Sequence, residues 1–181
     1  NLSVNSTNVS AFGFYDNFVT FNSGNLVGQQ SWTQLGVSTL PLQVTGSRVV
    51  IPFGQSVDNQ DAYKSFGLTN ITVFYGITLI VSNAPNSTSP SYFTAMTLSN
   101  NGTVFANYRL SADDNGGGTY VLGARLTGQT ADPYTFGTTA YSYGTQHRVI
   151  IEGESGGTVM KVFVDPTSSN LGAQTPYLTH T

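Results

Sequence analysis

Along the whole chain, short runs of β-branched and aromatic residues alternate with clusters of Gly, Asn, Ser and Pro. No stretch repeats apolar residues at helical spacing. Short apolar runs bounded by turn formers are the signature of strands. The pattern places strands at Phe12–Phe21, Leu42–Val44, Arg48–Phe53, Ile71–Val81, Tyr92–Ser99, Thr103–Leu110, Thr119–Leu126, His147–Glu152 and Thr158–Asp165. Asn101-Gly102 marks a hairpin, because Asn and Gly accept the two positive-φ positions of a type I′ turn. A second hairpin turns at Glu154–Gly157, and Asp165-Pro166 closes it because Pro cannot donate to a ladder. Between them, Asp113–Gly118 reads as a flexible loop.

Strands at this spacing in 181 residues build an all-β domain, a two-sheet antiparallel jelly-roll β-sandwich. A domain of this size buries about 70% of the surface its unfolded chain exposes, so it folds without staples. That suits a chain with no Cys. Residues 1–11 stand apart: they are polar, lack Gly and Pro, and precede the first aromatic run. They form an N-terminal extension that reads as a loose tail or a donor strand, and residues 12–181 form the sandwich.

Only 8% of residues are charged, so Ser, Thr, Asn, Gln and Gly must keep the surface wet. Such a neutral polar coat is common on extracellular and fibrous proteins. Six Lys and Arg with a net charge of −3 make no stripe for nucleic acid. No apolar run reaches the roughly 20 residues of a membrane span. The chain starts at Asn1 without a signal peptide, as expected of a processed protein or of a segment of a longer one.

Phe14-Tyr15-Asp16-Asn17-Phe18 and Gly24-Asn25-Leu26-Val27-Gly28-Gln29-Gln30-Ser31-Trp32 resemble the start of concanavalin A-like (laminin-G-like) domains of bacterial exported proteins, many with PEP-CTERM-type sorting tails. Tyr141–Ile151 and Val162-Phe163-Val164-Asp165-Pro166-Thr167 resemble that family's closing strands. The resemblance covers roughly residues 12–170 and is specific for fold rather than activity. It implies a jelly roll at a secreted or cell-surface location. Relatives on that fold include uncharacterised surface and matrix proteins, sugar binders and glucanases. The family usually continues past the Asp-Pro-Thr turn into further strands. A chain ending at Thr181 is then expected to leave an open slot in its sandwich.

Glycoside hydrolysis needs two carboxylates about 5 to 9.5 Å apart. The only glutamates, Glu152 and Glu154, alternate onto one face, but they lack the central Asp of the glucanase pattern and sit beside a turn. No Gly-x-Ser-x-Gly elbow accompanies His147 or His180, and two His without Cys do not make a zinc site. The chain therefore reads as non-catalytic. Hard oxygen ligands cluster at Asp113-Asp114-Asn115 and at Asp58-Asn59-Gln60-Asp61, where calcium is the candidate ion, although Asp, Asn and Gly are also ordinary turn residues. Tyr134, Phe136, Tyr141 and Tyr143 concentrate aromatic rings in a loop-like context. They are candidate carbohydrate platforms, against the commoner role of capping the ends of a core. Asn-x-Ser/Thr sequons stand at Asn1, Asn5, Asn8, Asn70, Asn86 and Asn101 and are candidate glycosylation sites.

Two functions follow. The first is a structural or adhesive subunit that self-associates through sheet edges or termini into a surface or matrix assembly, in the limit a filament built by strand exchange. The second is a lectin-like module that binds glycans.

Overall fold

The computed structural model describes residue 18 and residues 20–35, 41–51, 61–65, 72–84, 91–100, 103–127, 133–154 and 157–181. Every regular element among them is a strand, apart from one 3-10 turn at Leu171–Ala173. All pairings are antiparallel. The described residues form two compact units, one before and one after the interval 66–71. This division falls inside the span that the sequence reads as one domain, and no Pro- or Gly-rich linker marks it.

The smaller unit has a three-stranded sheet, ordered β1 (Gly24–Asn25), β3 (Gln43–Thr45) and β4 (Arg48–Val50). Beside it β2 (Thr33–Leu35) pairs with β5 (Asp61–Tyr63). Leu26 and Val44 are its buried anchors. Amides stitch its turns: Gln29 Nε2 donates to the Asn25 carbonyl at 2.7 Å, and Gln43 Nε2 to Asn25 Oδ1 at 2.8 Å. The strand expected over Phe12–Phe21 does not reach its C-terminal end. Phe18 takes a left-handed φ of 56°, and Phe21 N–H closes a turn on its carbonyl at 3.3 Å. Ring contacts explain the bend, since Phe18 packs on Phe21 at 4.9 Å and Trp32 at 6.2 Å between centroids. Residues 12–17 lie outside the described residues.

The larger unit carries two sheets. One is ordered β14 (Leu178–His180), β13 (Met160–Val164), β12 (Gln146–Glu154) and β6 (Thr72–Ile80). The other is ordered β10 (Thr135–Phe136), β9 (Thr119–Thr127), β8 (Thr103–Gly116) and β7 (Ser91–Asn100), with β11 (Tyr141–Ser142) also on β9. The β7–β8 ladder closes with Asn100 opposite Thr103, which agrees with a two-residue connection at Asn101-Gly102; those two residues lie outside the described set. The β12–β13 hairpin also forms where the sequence places it.

Asp113–Gly118 is not a loop. β8 runs through Asp113 and Asp114, which pair with Val121 and Tyr120, and Gly116 stands opposite Thr119. Gly117 and Gly118 make the whole turn, with φ of 60° and 78°. Two successive positive φ values match the twist of the strands they join, and Gly takes both without strain.

Alternation builds the core. Tyr108, Leu110, Tyr120, Leu122 and Ala124 of one sheet are fully buried, as are Val149, Ile151, Met160 and Val162 of the other. Each fully buried aliphatic side chain of this size is worth roughly 1.5–3 kcal/mol. The sheets meet where Met96 and Tyr108 lie against the bare backbone of Gly153. Tyr108 also donates its hydroxyl across the layers to the Glu154 carbonyl at 2.6 Å. Burial, aided by the Glu154 charge, pushes its phenol up to about 12.

A Cβ on Gly153 would come within 2.7 Å of Met96 Cε and of the Tyr108 ring. Gly153→Ala should therefore destabilise the protein by about 1–3 kcal/mol through overpacking. Gly76→Ala, in the same sheet with nothing within 4 Å, should be neutral or slightly stabilising. Urea unfolding of the two variants checks the contrast.

Candidate functional site

The four aromatic candidates divide between two places. Phe136 pairs with Gly123 and Tyr141 with Tyr120 on the same strand β9. Gly123 and Tyr120 differ in parity, so the two rings stand on opposite faces of the sheet. Tyr134 and Phe136 lie on the outer face, half-buried, with centroids 6.0 Å apart. Tyr141 and Tyr143 join Tyr120 at 5.9 and 5.5 Å, and Tyr141 also meets Tyr177 at 5.6 Å. That second group closes one end of the core. Burial drives the phenols of Tyr120, Tyr141 and Tyr143 up to about 12 and also raises Tyr177.

Beside the tyrosines sits a clamp that sequence reasoning passed over. His147 is buried, and its Nδ1 lies 2.7 Å from Asp165 Oδ2. The other carboxylate oxygen, Oδ1, accepts the Arg148 N–H at 2.8 Å. Asp165 N–H in turn donates to the Arg148 carbonyl at 2.7 Å. Burial raises the Asp165 carboxyl, but the hydrogen bonds from His147 and Arg148 outweigh it and hold the group below its ordinary value. The Tyr141 ring packs 4.5 Å from the imidazole. His147 Nε2 is buried without a hydrogen-bond partner. The left-handed φ of 48° at Asp165 turns its carboxylate back onto β12 as the ladder ends. A Pro after an Asp at a strand end was the only signal available for it. His180, at the other edge, has Nδ1 2.8 Å from Thr135 Oγ1, which ties β14 to β10 across the layers.

The acidic candidates do not converge. Asp113 and Asp114 are successive strand residues and point to opposite faces. Asp114 Oδ1 already accepts the Tyr143 hydroxyl at 2.7 Å, and Asn115 is exposed at the bulge. The three therefore do not fit one calcium ion. Among the described residues no group of three His, Cys, Asp or Glu could hold a metal. Asp58, Asn59 and Gln60 lie outside the described residues, as do the sequons Asn1, Asn5, Asn8, Asn70, Asn86 and Asn101. Glu152 and Glu154 share a face, as alternation requires, but Glu152 is held by Lys161 Nζ at 2.7 Å on the neighbouring strand.

The sheet edges differ sharply. On one side the edge strands are short: β14 has three residues and β10 two. On the other side they are long. β6 has nine residues and β7 ten, and neither contains a charge or a Pro. Among the described residues, nothing pairs with the outer side of either strand. Phe74 on β6 is 51% exposed. Natural edges are usually blunted by brevity, charge or Pro. Among the described residues, no helix is long and apolar enough to cross a membrane.

No family model, curated protein or solved structure matches this chain.

Asp165→Ala leaves the buried His147 ring and the more exposed Arg148 N–H without this partner and should cost about 1 kcal/mol, read by urea unfolding. Because folding lowers this carboxyl, its contribution is complete above its ordinary value and is lost as pH falls through the folded one. The phenols behave in the opposite sense. Folding raises them from 10 to about 12, so their contribution is complete below pH 10 and is lost as pH rises toward 12. Tyrosinate absorbance followed alongside circular dichroism should show a late-ionising group of tyrosines titrating together with unfolding. Ionisation of all ten tyrosines near pH 10, with the fold intact, would contradict this.

Proposed function

We propose that this chain is a non-catalytic structural or adhesive subunit of an extracellular or cell-surface assembly, built on a concanavalin A-like jelly roll. Copies join by strand addition at the free edge of the sandwich. The observation that carries this reading is the β6 edge: nine uncharged residues without Pro, with Phe74 exposed and no neighbour among the described residues. Such an edge offers a row of backbone donors and acceptors to an incoming strand. β12 occupies only its other side, residue for residue from Thr72 to Ile80.

The donor in this proposal is residues 1–11 of the next copy, which carry no Gly or Pro to interrupt an extended strand. Donor and acceptor are different surfaces, so the contact is head-to-tail. It propagates into a filament when its rotation does not close. A neutral polar surface, with 8% charged residues, lets subunits pack without repulsion.

A second reading, a lectin-like carbohydrate binder, is favoured by a separate observation. Tyr134 and Phe136 hold a half-exposed aromatic pair on a sheet face, clear of the buried tyrosine cluster.

Phe74→Lys places a charge on the acceptor edge opposite Glu152, where the fold tolerates it. It should abolish polymers in negative-stain microscopy with little loss of stability. Deletion of residues 1–11 should do the same, and a synthetic peptide of those residues should cap the wild-type protein. Unchanged assembly in both variants would overturn the strand-addition reading.

A further inference from the structure

We infer that the β6 edge pairs with the β6 edge of a second copy, in one two-fold register centred on Tyr75, and that this dimer closes the edge to the donor strand. The inference rests on the strand-addition reading and names the partner that regulates the same edge.

The register follows from the strand's own residues. β6 reads Thr72-Val73-Phe74-Tyr75-Gly76-Ile77-Thr78-Leu79-Ile80. Val73 is 6% exposed and belongs to the core, so alternation puts Thr72, Phe74, Gly76 and Thr78 on the outer face. Phe74 is 51% exposed. Gly76 and Thr78 are exposed too, and nothing lies within 4 Å of a Cβ built on Gly76. The outer face of the edge thus carries a ring and, two residues on, a bare backbone seat. Behind that seat β12 places Ile150, opposite Gly76 and 7% exposed.

Two identical strands paired about a two-fold axis form a self-complementary contact. Outer residues face outer residues only when the axis passes through a residue. An axis between two residues sets outer against inner. With the axis through Tyr75, Phe74 of each copy falls opposite Gly76 of the other, Thr72 opposite Thr78, and Val73 opposite Ile77. Each of these pairs is favourable: the ring covers an edge glycine, threonines hydrogen-bond to each other, and β-branched residues pack. With the axis through Phe74, the two rings would meet and Gly76 would face Thr72. With the axis through Gly76, glycine would face glycine. Near a two-fold axis a charged residue meets its like, and β6 carries no charge. Arg148, Glu152 and Glu154 stand one strand back, opposite Thr78, Phe74 and Thr72. A ladder from Thr72 to Thr78 is a small contact of the reversible kind, which suits an edge that must open to a donor.

The experiment is disulfide trapping in the full chain, which has no Cys of its own. Positions 72 and 78 of one copy lie about 20 Å apart along the strand. A disulfide reaches only about 7 Å between Cα atoms, so it cannot join them within one copy. Across the axis they face each other. Mixed and mildly oxidised, Thr72→Cys and Thr78→Cys should give a disulfide-linked dimer on non-reducing gels, and either variant alone should not. The double variant should oxidise to a dimer that forms no polymer in negative-stain microscopy until a reductant reopens the edge. Sedimentation of the wild-type chain tests the same idea without a substitution: a dimer should fall apart to monomer as a peptide of residues 1–11 is added. A mixed disulfide no stronger than that of either variant alone overturns the register. No dimer by either method, with polymers still lost in Phe74→Lys, overturns the inference and leaves strand addition standing. A trapped dimer in a chain that never polymerises leaves the pairing standing and overturns the filament reading. Trapped dimers that polymerise as freely as the reduced protein overturn both.

Discussion

The contact of Tyr108 and Met96 with the Cβ-less backbone of Gly153 sets the spacing on which the larger unit depends. Two sheets can layer only if their inner side chains interdigitate, and here the largest ring of the layer is admitted by the smallest residue. The Tyr108 hydroxyl then finds the Glu154 carbonyl, so the ring is both buried and satisfied. Around this seat the remaining inner positions are aliphatic, and the polar exceptions are confined to the ends. His147 is clamped by Asp165, His180 meets Thr135, and Tyr177 donates to the Thr139 carbonyl at 3.0 Å.

That layering separates three kinds of surface. The inner faces make the core. The outer face of the β7–β10 sheet carries the arginine and aromatic cluster. The edges are unequal, with short strands tied across the layers by Thr135 and His180 on one side and long uncharged strands on the other.

A one-residue irregularity has a large consequence for the face. The β8–β9 ladder opens with Gly116 opposite Thr119, and a bulge follows between Asp114 and Gly116. Without it, continued pairing would set Arg109 opposite Leu126 and mix charged with apolar residues on each side. With it, Arg109 meets Arg125 and Tyr108 meets Leu126, so Tyr108, Leu110, Leu122 and Leu126 share the inner face and the two arginines stay off it.

The long strands were legible in the sequence because burial on one face writes itself as period-two alternation, as in Tyr108-Arg109-Leu110 or Val162 and Met160 around Lys161. The β7–β8 and β12–β13 hairpins were legible in composition, although Asp113–Gly118 read as a flexible loop where the fold continues β8 and turns tightly at Gly117-Gly118. The strands β10, β11 and β14 were not legible. Two or three residues carry no period, and such strands exist only because a neighbour supplies their partners. The site was half visible: Tyr134, Phe136, Tyr141 and Tyr143 stood out as aromatics, but which face each ring takes depends on the register against Gly123 and Tyr120. By itself the sequence determined an all-β chain, its main hairpins and its uncharged surface, since these follow from local pattern and composition. Only the tertiary structure decided which residues oppose each other, because register is a long-range choice made by packing. That choice put two arginines, sixteen positions apart, opposite each other on neighbouring strands.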